Sequence, residues 1–306
     1  MYFTQLPDHT LPGFDEQLHF SRFKKQNIIF NARGTQAHCD RHVGCLSFKT
    51  VTSGEEEYTI DRRSIVVRPG QFLILNDDQP YSCRIRNRQP ARVFSVFFKR
   101  EFAHAVFTDT HHSEAASLDN PTDPDNTGIE FFQTLNTITP SLQNQLRNFV
   151  TQLENQPYTA DAVDEYLVFL LRHLLQTHRA DWARMTKVNA QKPATRLEIF
   201  KRLCIARDLL HSAWHQPLDL QTIGKTSCLS VPQLIRQFNT VFHTTPHRYL
   251  VRLRLQRAAH LLHTTKLSIQ EITIHCGFED ASAFCRAFKS ANGLPPEAYR
   301  SQTLTR

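Results

Sequence analysis

The sequence predicts an α+β protein: an N-terminal antiparallel β-barrel with two following helices, then an all-α C-terminal domain. Three observations support this fold class. Short β-rich runs separated by turns fill residues 43–100. Apolar residues recur with a helical period between residues 142 and 174. One helical pattern occurs twice in the last third of the chain, 50 positions apart, and 306 residues are enough for two independent cores.

The predicted barrel occupies residues 1–108 and contains six β-rich runs. Turn residues such as Gly54, Gly70 and Pro90 separate the runs, a spacing typical of antiparallel barrels and sandwiches. The charged stretch Glu55–Glu57 is predicted to face solvent on a hairpin. The six runs are Val43–Phe48, Glu57–Ile60, Ser64–Arg68, Phe72–Leu75, Ser82–Ile85 and Val93–Phe98.

The interior of such a barrel can hold a small ligand. The candidate lining residues are His38, Tyr58, Phe72 and Tyr81, although plain core packing is the simpler explanation for each. A metal-binding barrel would need two His one residue apart, a nearby Glu, and a further His beyond the Pro69-Gly70 turn. The cluster His38-Cys39-Asp40 with His42 lacks this form, and residues 69–100 contain no His. We therefore expect no metal, no cofactor and no catalytic residue.

Residues 109–128 are polar, contain two prolines and are predicted to form a loop. Two amphipathic helices are predicted within residues 129–180. Their spacing does not decide between a hairpin within one chain and pairing of one helix with its copy in a homodimer. Residues 181–195 are predicted to be a linker. The two apolar faces comprise Leu142, Leu146, Phe149, Val150 and Leu153, and Val163, Tyr166, Leu167, Leu170, Leu171 and Leu174.

The repeated pattern consists of an N-cap residue type, two large apolar residues four positions apart, and an arginine between them. The apolar pairs are Leu234 with Phe238 and Phe284 with Phe288. Arg236 and Arg286 each lie about 200° round the helix from the first apolar residue of the pair. Each copy is therefore predicted to be a short helix that packs its apolar pair on a core and presents one arginine outwards.

The end of another helix precedes each copy, at Leu220–Gly224 and at Ile269–Thr273. Each such pair of helices is predicted to be a helix-turn-helix unit. The small residues Gly224 and Thr273 are expected where the helices approach closely, and Gly277 is free to take a positive φ in the second turn.

The run Pro246–Leu262 between the two units is predicted to be one continuous helix, because Thr245 can cap it and proline suits the first turn. About 18 residues span roughly 27 Å at 1.5 Å each. This is close to the ~34 Å that separates successive major-groove openings on one face of B-DNA. Two recognition helices on this connecting helix would reach adjacent grooves.

Positive charge is concentrated in the segment that contains the repeat. Residues 196–306, the predicted C-terminal domain, carry 15 Lys and Arg against 7 Asp and Glu, whereas residues 1–195 carry 21 against 22. One amphipathic helix alone would indicate only packing. A basic module beside a neutral one is the pattern expected for a polyanionic partner, here double-stranded DNA.

Residues 197–301 resemble the DNA-binding domain of the AraC/XylS transcription regulators. The residues that carry the resemblance are Arg252-Leu253-Arg254-Leu255, Ala258, Ser268-Ile269, Glu271-Ile272, Gly277-Phe278, Phe284, Arg286-Ala287-Phe288-Lys289, Gly293, Pro295-Pro296 and Tyr299-Arg300. Gly224 and Thr273 depart from the family, in which alanine is usual at both positions. The resemblance implies a transcription regulator, an activator more often than a repressor, with RNA polymerase as a partner.

The resemblance also implies two sets of DNA-contacting residues, one for each groove. They are Pro232, Gln233, Ile235, Arg236 and Asn239 in the first unit, and Ala281, Ser282, Cys285 and Arg286 in the second. Arginine can bond guanine, and Gln or Asn can bond adenine, through two parallel hydrogen bonds. The second set has few such groups, so we expect it to contribute mainly phosphate contacts and shape readout.

By the same resemblance, the N-terminal region is a cupin-like barrel, matched by Arg68–Leu75, that binds a small-molecule effector, and its helices form a homodimer. Two alternatives remain. One is a constitutive DNA binder whose N-terminal domain only dimerises. The other is a cupin enzyme with a basic appendage, which the missing metal motif and the absence of a catalytic triad or phosphate-binding loop disfavour.

Cysteine usage and hydropathy predict the compartment. The seven cysteines are odd in number and include no CxxC pair, which indicates free thiols in a reducing cytosol. A thiol sensor at Cys276 and Cys285 is the alternative to ordinary packing. The sequence contains no 18-residue apolar run and no signal-peptide pattern. We therefore expect a cytoplasmic protein that is neither exported nor bound to a membrane.

Overall fold

The computed structural model describes residues 1–7, 21–23, 25–112, 129–155 and 159–303. The chain divides into two compact units, Met1–Ala183 and Arg184–Arg306. The first unit is a curled, mainly antiparallel β-sheet followed by helices, and the second is helical. This is the α+β fold class that the sequence predicts. Nowhere in the described ranges is a helix both long and apolar enough to cross a membrane.

The sheet of the first unit contains eight strands within the described residues. The strands are β1 (Tyr2–Phe3), β2 (Ile28–Val43), β3 (Ser47–Ser53), β4 (Glu56–Ile60), β5 (Arg63–Val67), β6 (Gln71–Leu75), β7 (Pro80–Phe97) and β8 (Asn136–Thr137). Their order is β1-β2-β7-β3-β6-β8, and β4 pairs with both β5 and β7. Register shifts in the long β2–β7 pair, between Gly34 and Gln36 and between Cys39 and His42, bend the strands and favour the curl.

Strand β2 is missing from the sequence prediction, and the predicted run Val43–Phe48 is wrong. β2 ends at Val43, and β3 begins at Ser47. Most of the β2 residues between 33 and 42 are exposed or only partly buried, so no clear apolar alternation identifies the strand. Its pairing with β7, which lies about 50 residues further along the chain, is what makes it a strand.

The sheet buries apolar side chains on both of its faces, which is why all five residues of β6 are buried. Leu73 and Leu75 lie inside the curl, whereas Phe72 and Ile74 lie on the face that the helices cover. The prediction that Phe72 lines the interior is therefore wrong. Successive strand residues point to opposite faces, and the Phe72 ring packs on Phe48, with centroids 5.1 Å apart.

Three helices follow the curled sheet: α1 (Arg100–His112), α2 (Pro140–Glu154) and α3 (Ala160–Met185). The apolar faces of α2 and α3 both pack on the outer face of the sheet, and Leu167, Leu171 and Leu174 are fully buried there. Packing within one chain thus accounts for the faces of both helices, which is the hairpin alternative. Pairing of one helix with its copy in a homodimer stays a prediction.

Helices occupy part of two segments that the sequence predicts to be irregular. Residues 109–112 belong to α1, and the remainder of the predicted 109–128 loop, 113–128, lies outside the described residues. The predicted 181–195 linker is also partly helical, because α3 continues to Met185 and α4 begins at Pro193. Proline fits the first turn of a helix, where no intrahelical N–H donor is required. The non-helical connection is therefore residues 186–192.

The second unit contains seven helices within the described residues. They are α4 (Pro193–Ser212), α5 (Leu220–Thr226), α6 (Val231–Phe242), α7 (Pro246–Thr264), α8 (Ile269–His275), α9 (Ala281–Asn292) and α10 (Pro296–Thr303). The continuous helix α7 between the helix-turn-helix units is confirmed, and the Thr245 hydroxyl accepts from the N–H of Arg248 at its start. The helices α5 and α8 are complete helices of seven residues rather than ends of longer ones, because Asp219 and Ser268 cap them.

Candidate nucleic-acid interface

The helices α6 and α9 each bury an apolar pair and expose an arginine. Leu234 and Phe238 on α6 are completely buried, as are Phe284 and Phe288 on α9. Arg236 and Arg286 are exposed on the opposite sides. Each arginine is therefore carried by a helix whose rotation about its own axis is set by packing.

The nine candidate DNA-contacting residues all have solvent-accessible side chains. The exposed ones are Pro232, Arg236, Asn239, Ala281, Ser282 and Arg286, and the partly exposed ones are Gln233, Ile235 and Cys285. None of them is buried in a core, as an interface role requires. Their contacts with DNA stay a prediction.

The start of α9 is held by a charged cap. The Asp280 carboxylate accepts from the N–H of Ser282 at 3.1 Å and from the N–H of Ala283 at 2.7 Å. Hydrogen bonds from these N–H groups lower the pKa of Asp280, so the carboxylate stays ionised. In α6 the Ser230 hydroxyl makes no capping hydrogen bond among the described residues, and Pro232 occupies the first turn. The two helices thus begin in different ways.

The turns of the two helix-turn-helix units each contain a residue with a positive φ, but the residue type differs. Gly277 has φ +73°, and Cys228, at the equivalent place in the first turn, has φ +54°. Gly224 lies at a close approach: a β-carbon there would be 2.7 Å from the Leu229 carbonyl oxygen. The expected roles of Gly224 and Gly277 therefore agree with the geometry, while the left-handed Cys228 is a feature that the sequence pattern does not reveal.

Replacing Cys228 with glycine is expected to stabilise the second unit by about 0.5–1 kcal/mol. The left-handed conformation costs a non-glycine residue about 1–2 kcal/mol, and the greater entropy of glycine in the unfolded chain offsets about 0.5–1 kcal/mol of this gain. The measurement is the thermal midpoint of the full chain. Thr226→Gly, in the preceding helix, is the control and is expected to lower that midpoint. An unchanged or lower midpoint in Cys228→Gly contradicts the prediction.

Arg254 on α7 lies between the turn after α4 and the turn of the second helix-turn-helix unit. Its guanidinium donates to the carbonyl oxygens of Trp214 and Gln216, both at 2.8 Å, and burial lowers its pKa. A β-carbon on Gly277 would lie 3.0 Å from Nη2 of Arg254. This arginine of α7 thus connects the turn after α4 to the turn of the second helix-turn-helix unit. Its place in a basic run gives no sign of this internal role.

Gln237 is a second residue whose role the sequence does not show. It is 1% exposed although it directly follows Arg236. Its side-chain oxygen accepts from the N–H of Asn189 at 3.1 Å, and its Nε2 donates to the Asn189 carbonyl at 2.9 Å. The connection 186–192 is therefore attached to the helix that presents Arg236.

The first unit contains a cavity of about 70 Å³ inside the curled sheet. Three of the four predicted lining residues, His38, Tyr58 and Tyr81, border it, together with Lys49 and Glu56. The prediction of a solvated Glu55–Glu57 stretch is wrong for Glu56, which is 5% exposed. Its carboxylate accepts a hydrogen bond of 2.6 Å from the Tyr58 hydroxyl. The curl turns this strand residue inwards, while Glu55 and Glu57 on either side of it remain accessible to solvent.

Among the residues with described positions, neither the cysteines nor any group of metal-binding side chains forms a further site. All seven cysteines are free thiols. Burial raises the pKa of the Cys276 thiol to about 12, which disfavours the reactive thiolate that a redox sensor needs. In the ranges that the structure covers, no three His, Cys, Asp or Glu side chains are grouped so that they could hold a metal ion.

Comparisons with known proteins match both units. The family model described as the AraC-like ligand binding domain matches residues 32–171, and that described as a helix-turn-helix domain matches residues 223–302. The regulator GbdR of Pseudomonas aeruginosa is 35% identical over 92 residues, 30% of this chain and 25% of that protein. The match to GbdR thus spans a quarter of that relative.

Two other relatives match over longer stretches. The transcriptional activator RhaS of Escherichia coli O157:H7 is 29% identical over 164 residues, 52% of this chain and 55% of that protein. An uncharacterized HTH-type transcriptional regulator of Haemophilus influenzae is 21% identical over 276 residues, 86% of this chain and 89% of that protein. With both family models matched in order along one sequence, the chain belongs to the AraC/XylS family of transcription regulators.

Proposed function

We propose that this protein is a sequence-specific DNA-binding transcription regulator whose N-terminal unit binds a small effector. The observation that carries the proposal is the pair of packed helices, α6 and α9, that expose Arg236 and Arg286 within a strongly basic unit. Such a charge distribution favours binding to the phosphate backbone, and arginine on an exposed helix face can read guanine.

The two recognition helices are proposed to make different kinds of contact with DNA. Along α6, Gln233, Arg236 and Asn239 all carry groups that can hydrogen-bond to bases. Along α9 the accessible candidates include only Ser282 and Arg286 as polar side chains. We infer that α6 supplies most of the base readout, and that α9 mainly contributes phosphate contacts and shape readout.

Effector control is proposed to act through a conformational equilibrium. A ligand that binds one state of the protein more tightly shifts the population towards that state, and DNA affinity changes with it. Activation of transcription, with RNA polymerase as the partner, rests on the family resemblance and on the description of the relative RhaS as an activator. A homodimer formed through one of the helices that follow the sheet stays an expectation of the family resemblance, while packing within the chain covers the apolar faces of α2 and α3.

Binding to DNA is expected to weaken steeply as salt increases, because several Lys and Arg contacts release counterions from the phosphates. The experiment is genome-wide footprinting to identify bound sites, followed by affinity measurements on one site at several salt concentrations. Arg33→Ala, which removes an exposed charge from the first unit, is the control and is expected to leave the salt dependence unchanged. An affinity that is flat between low and moderate salt contradicts the DNA-binding function.

A further inference from the structure

Lys49 is a buried cation that faces the cavity of the curled sheet. It lies on β3 and is 3% exposed. Its Nζ is 3.4 Å from the centroid of the Phe97 ring and 5.4 Å from that of Tyr81. Among the described residues the Lys49 ammonium makes no hydrogen bond, and no carboxylate oxygen lies within the 4.0 Å of an ion pair. Two aromatic rings therefore provide the contacts that stabilise this charge.

Aromatic faces compensate only part of the cost of removing an ammonium from water. Burial accordingly lowers the pKa of Lys49 to about 8, with Glu56 opposing the shift. A buried charge normally has a partner of opposite sign. Because the described residues place no carboxylate within ion-pair distance, this part of the chain leaves the cavity with a preference for an anion.

Glu56, the one carboxylate among the described residues that line the cavity, lies beyond the 4.0 Å of an ion pair with Lys49. Its carboxylate accepts a hydrogen bond from the Tyr58 hydroxyl, and burial raises its pKa. The remaining titratable groups that act on Lys49 are the thiols of Cys39, Cys45 and Cys83. Burial raises the pKa of Cys45 to about 12, and hydrogen bonding with Cys39 raises that of Cys83. The Cys45 and Cys83 thiols are therefore neutral near pH 7 and do not serve as the countercharge of the ammonium.

The rest of the cavity wall is largely apolar. Its aromatic and aliphatic members include Leu6, Phe23, Phe30, Val93 and Phe97, and its other polar members are His38, His42 and Ser95. A volume of about 70 Å³ admits roughly six water-sized groups, because each such group takes about 10–15 Å³ on this measure. The space thus matches a molecule of a few carbon atoms with one polar end.

We propose that this cavity binds a small monocarboxylic acid, whose carboxylate pairs with Lys49 and whose hydrocarbon part contacts the apolar wall. The inference rests on the proposed function, in which the acid is the effector. An amine would be repelled by Lys49. A neutral amide or alcohol would leave the ammonium without a countercharge, and a dianion would bring excess negative charge close to Glu56.

The test is calorimetric titration of the full chain at pH 7 with acetate, propionate and butyrate. Butyramide and butylamine serve as size-matched neutral and cationic probes. At least one acid is expected to bind, and both controls are expected to bind at least tenfold more weakly than butyrate. Lys49→Met is expected to reduce acid affinity at least tenfold. Lys99→Met, which removes a partly exposed lysine from the same unit, is expected to bind acid like the wild type.

The thermal midpoint without ligand shows that the Lys49→Met variant is folded. It is expected to exceed that of the wild type, because the substitution removes a buried charge and keeps an unbranched apolar chain. Should this variant be unfolded, Lys49→Gln replaces it, with the same expected loss of acid binding. Acid binding that survives the loss of the ammonium, tighter binding of butylamine than of butyrate, or binding of no acid overturns the inference. Salt-sensitive DNA binding by the wild type in those cases leaves the proposed function intact.

Discussion

Alanine at position 236 is expected to weaken binding to the specific DNA site by about 1–3 kcal/mol, roughly five- to 140-fold, and to relax the preference at one base position. Arg236 is exposed on α6, and the burial of Leu234 and Phe238 sets the orientation of that helix. A bidentate contact to guanine is lost with the guanidinium, while the fold of the helix stays intact. The measurement is selection of bound sequences from randomised DNA, together with affinities on the selected site.

The comparison variant for this prediction is Arg286→Ala. Because α9 has few base-reading groups, we expect this variant to lose similar affinity on specific and random DNA and to keep the base preferences of the wild type. If Arg236→Ala instead loses the same affinity on specific and random DNA, Arg236 contacts phosphate and the proposed division between the helices is wrong. Thermal midpoints close to that of the wild type verify that both variants are folded.

Alanine at Gly277 is expected to destabilise the second unit by about 1–2 kcal/mol from backbone strain alone, with a further cost from contacts. The residue has φ +73°, and the new β-carbon would lie 3.0 Å from the His215 carbonyl oxygen and 3.0 Å from Arg254 Nη2. The carbonyl belongs to the backbone, so relief requires movement of the turn after α4. A lowered thermal midpoint of the full chain is the expected result.

Gly293 provides the matched control because it has φ +80° and a β-carbon added there would have no neighbouring atom within 4 Å. Alanine at Gly293 therefore reports the backbone strain without the contact. The midpoint of Gly277→Ala is expected to fall further than that of Gly293→Ala. Equal losses of thermal midpoint would show that the junction between the two helix-turn-helix units tolerates displacement, contrary to the role assigned to Arg254. DNA affinity is expected to fall in Gly277→Ala alone, because that junction sets the spacing of α6 and α9.

Local patterns were sufficient for most of the second unit. The 3.6-residue period located the buried pairs, such as Leu234 with Phe238, and placed Arg236 on the outer side. A cap and a proline indicated the start of α7. These features depend on neighbours within a few residues, so the sequence carries them directly. The starts of α5 and α8 were missed because the apolar spacing does not show how far a helix extends.

The curled sheet shows where local patterns fail. Alternation indicates that two strand faces differ, but it does not tell which face the helices cover and which the curl encloses. Phe72 was therefore assigned to the wrong face, and Glu56 was assigned to solvent. Strand β2 became recognisable only through its pairing with β7.

The sequence by itself determined the α+β class, the two helix-turn-helix units and the outward arginines, because periodicity, caps and charge are local properties of the chain. Only the tertiary structure decided that Gln237 and Arg254 serve internal contacts, and that Lys49 and Glu56 meet inside one cavity. These placements depend on segments that are distant in sequence and come together only when the sheet curls and the helices pack. The physical reason is that burial of a charge is a property of its surroundings, which no pattern of adjacent residues specifies.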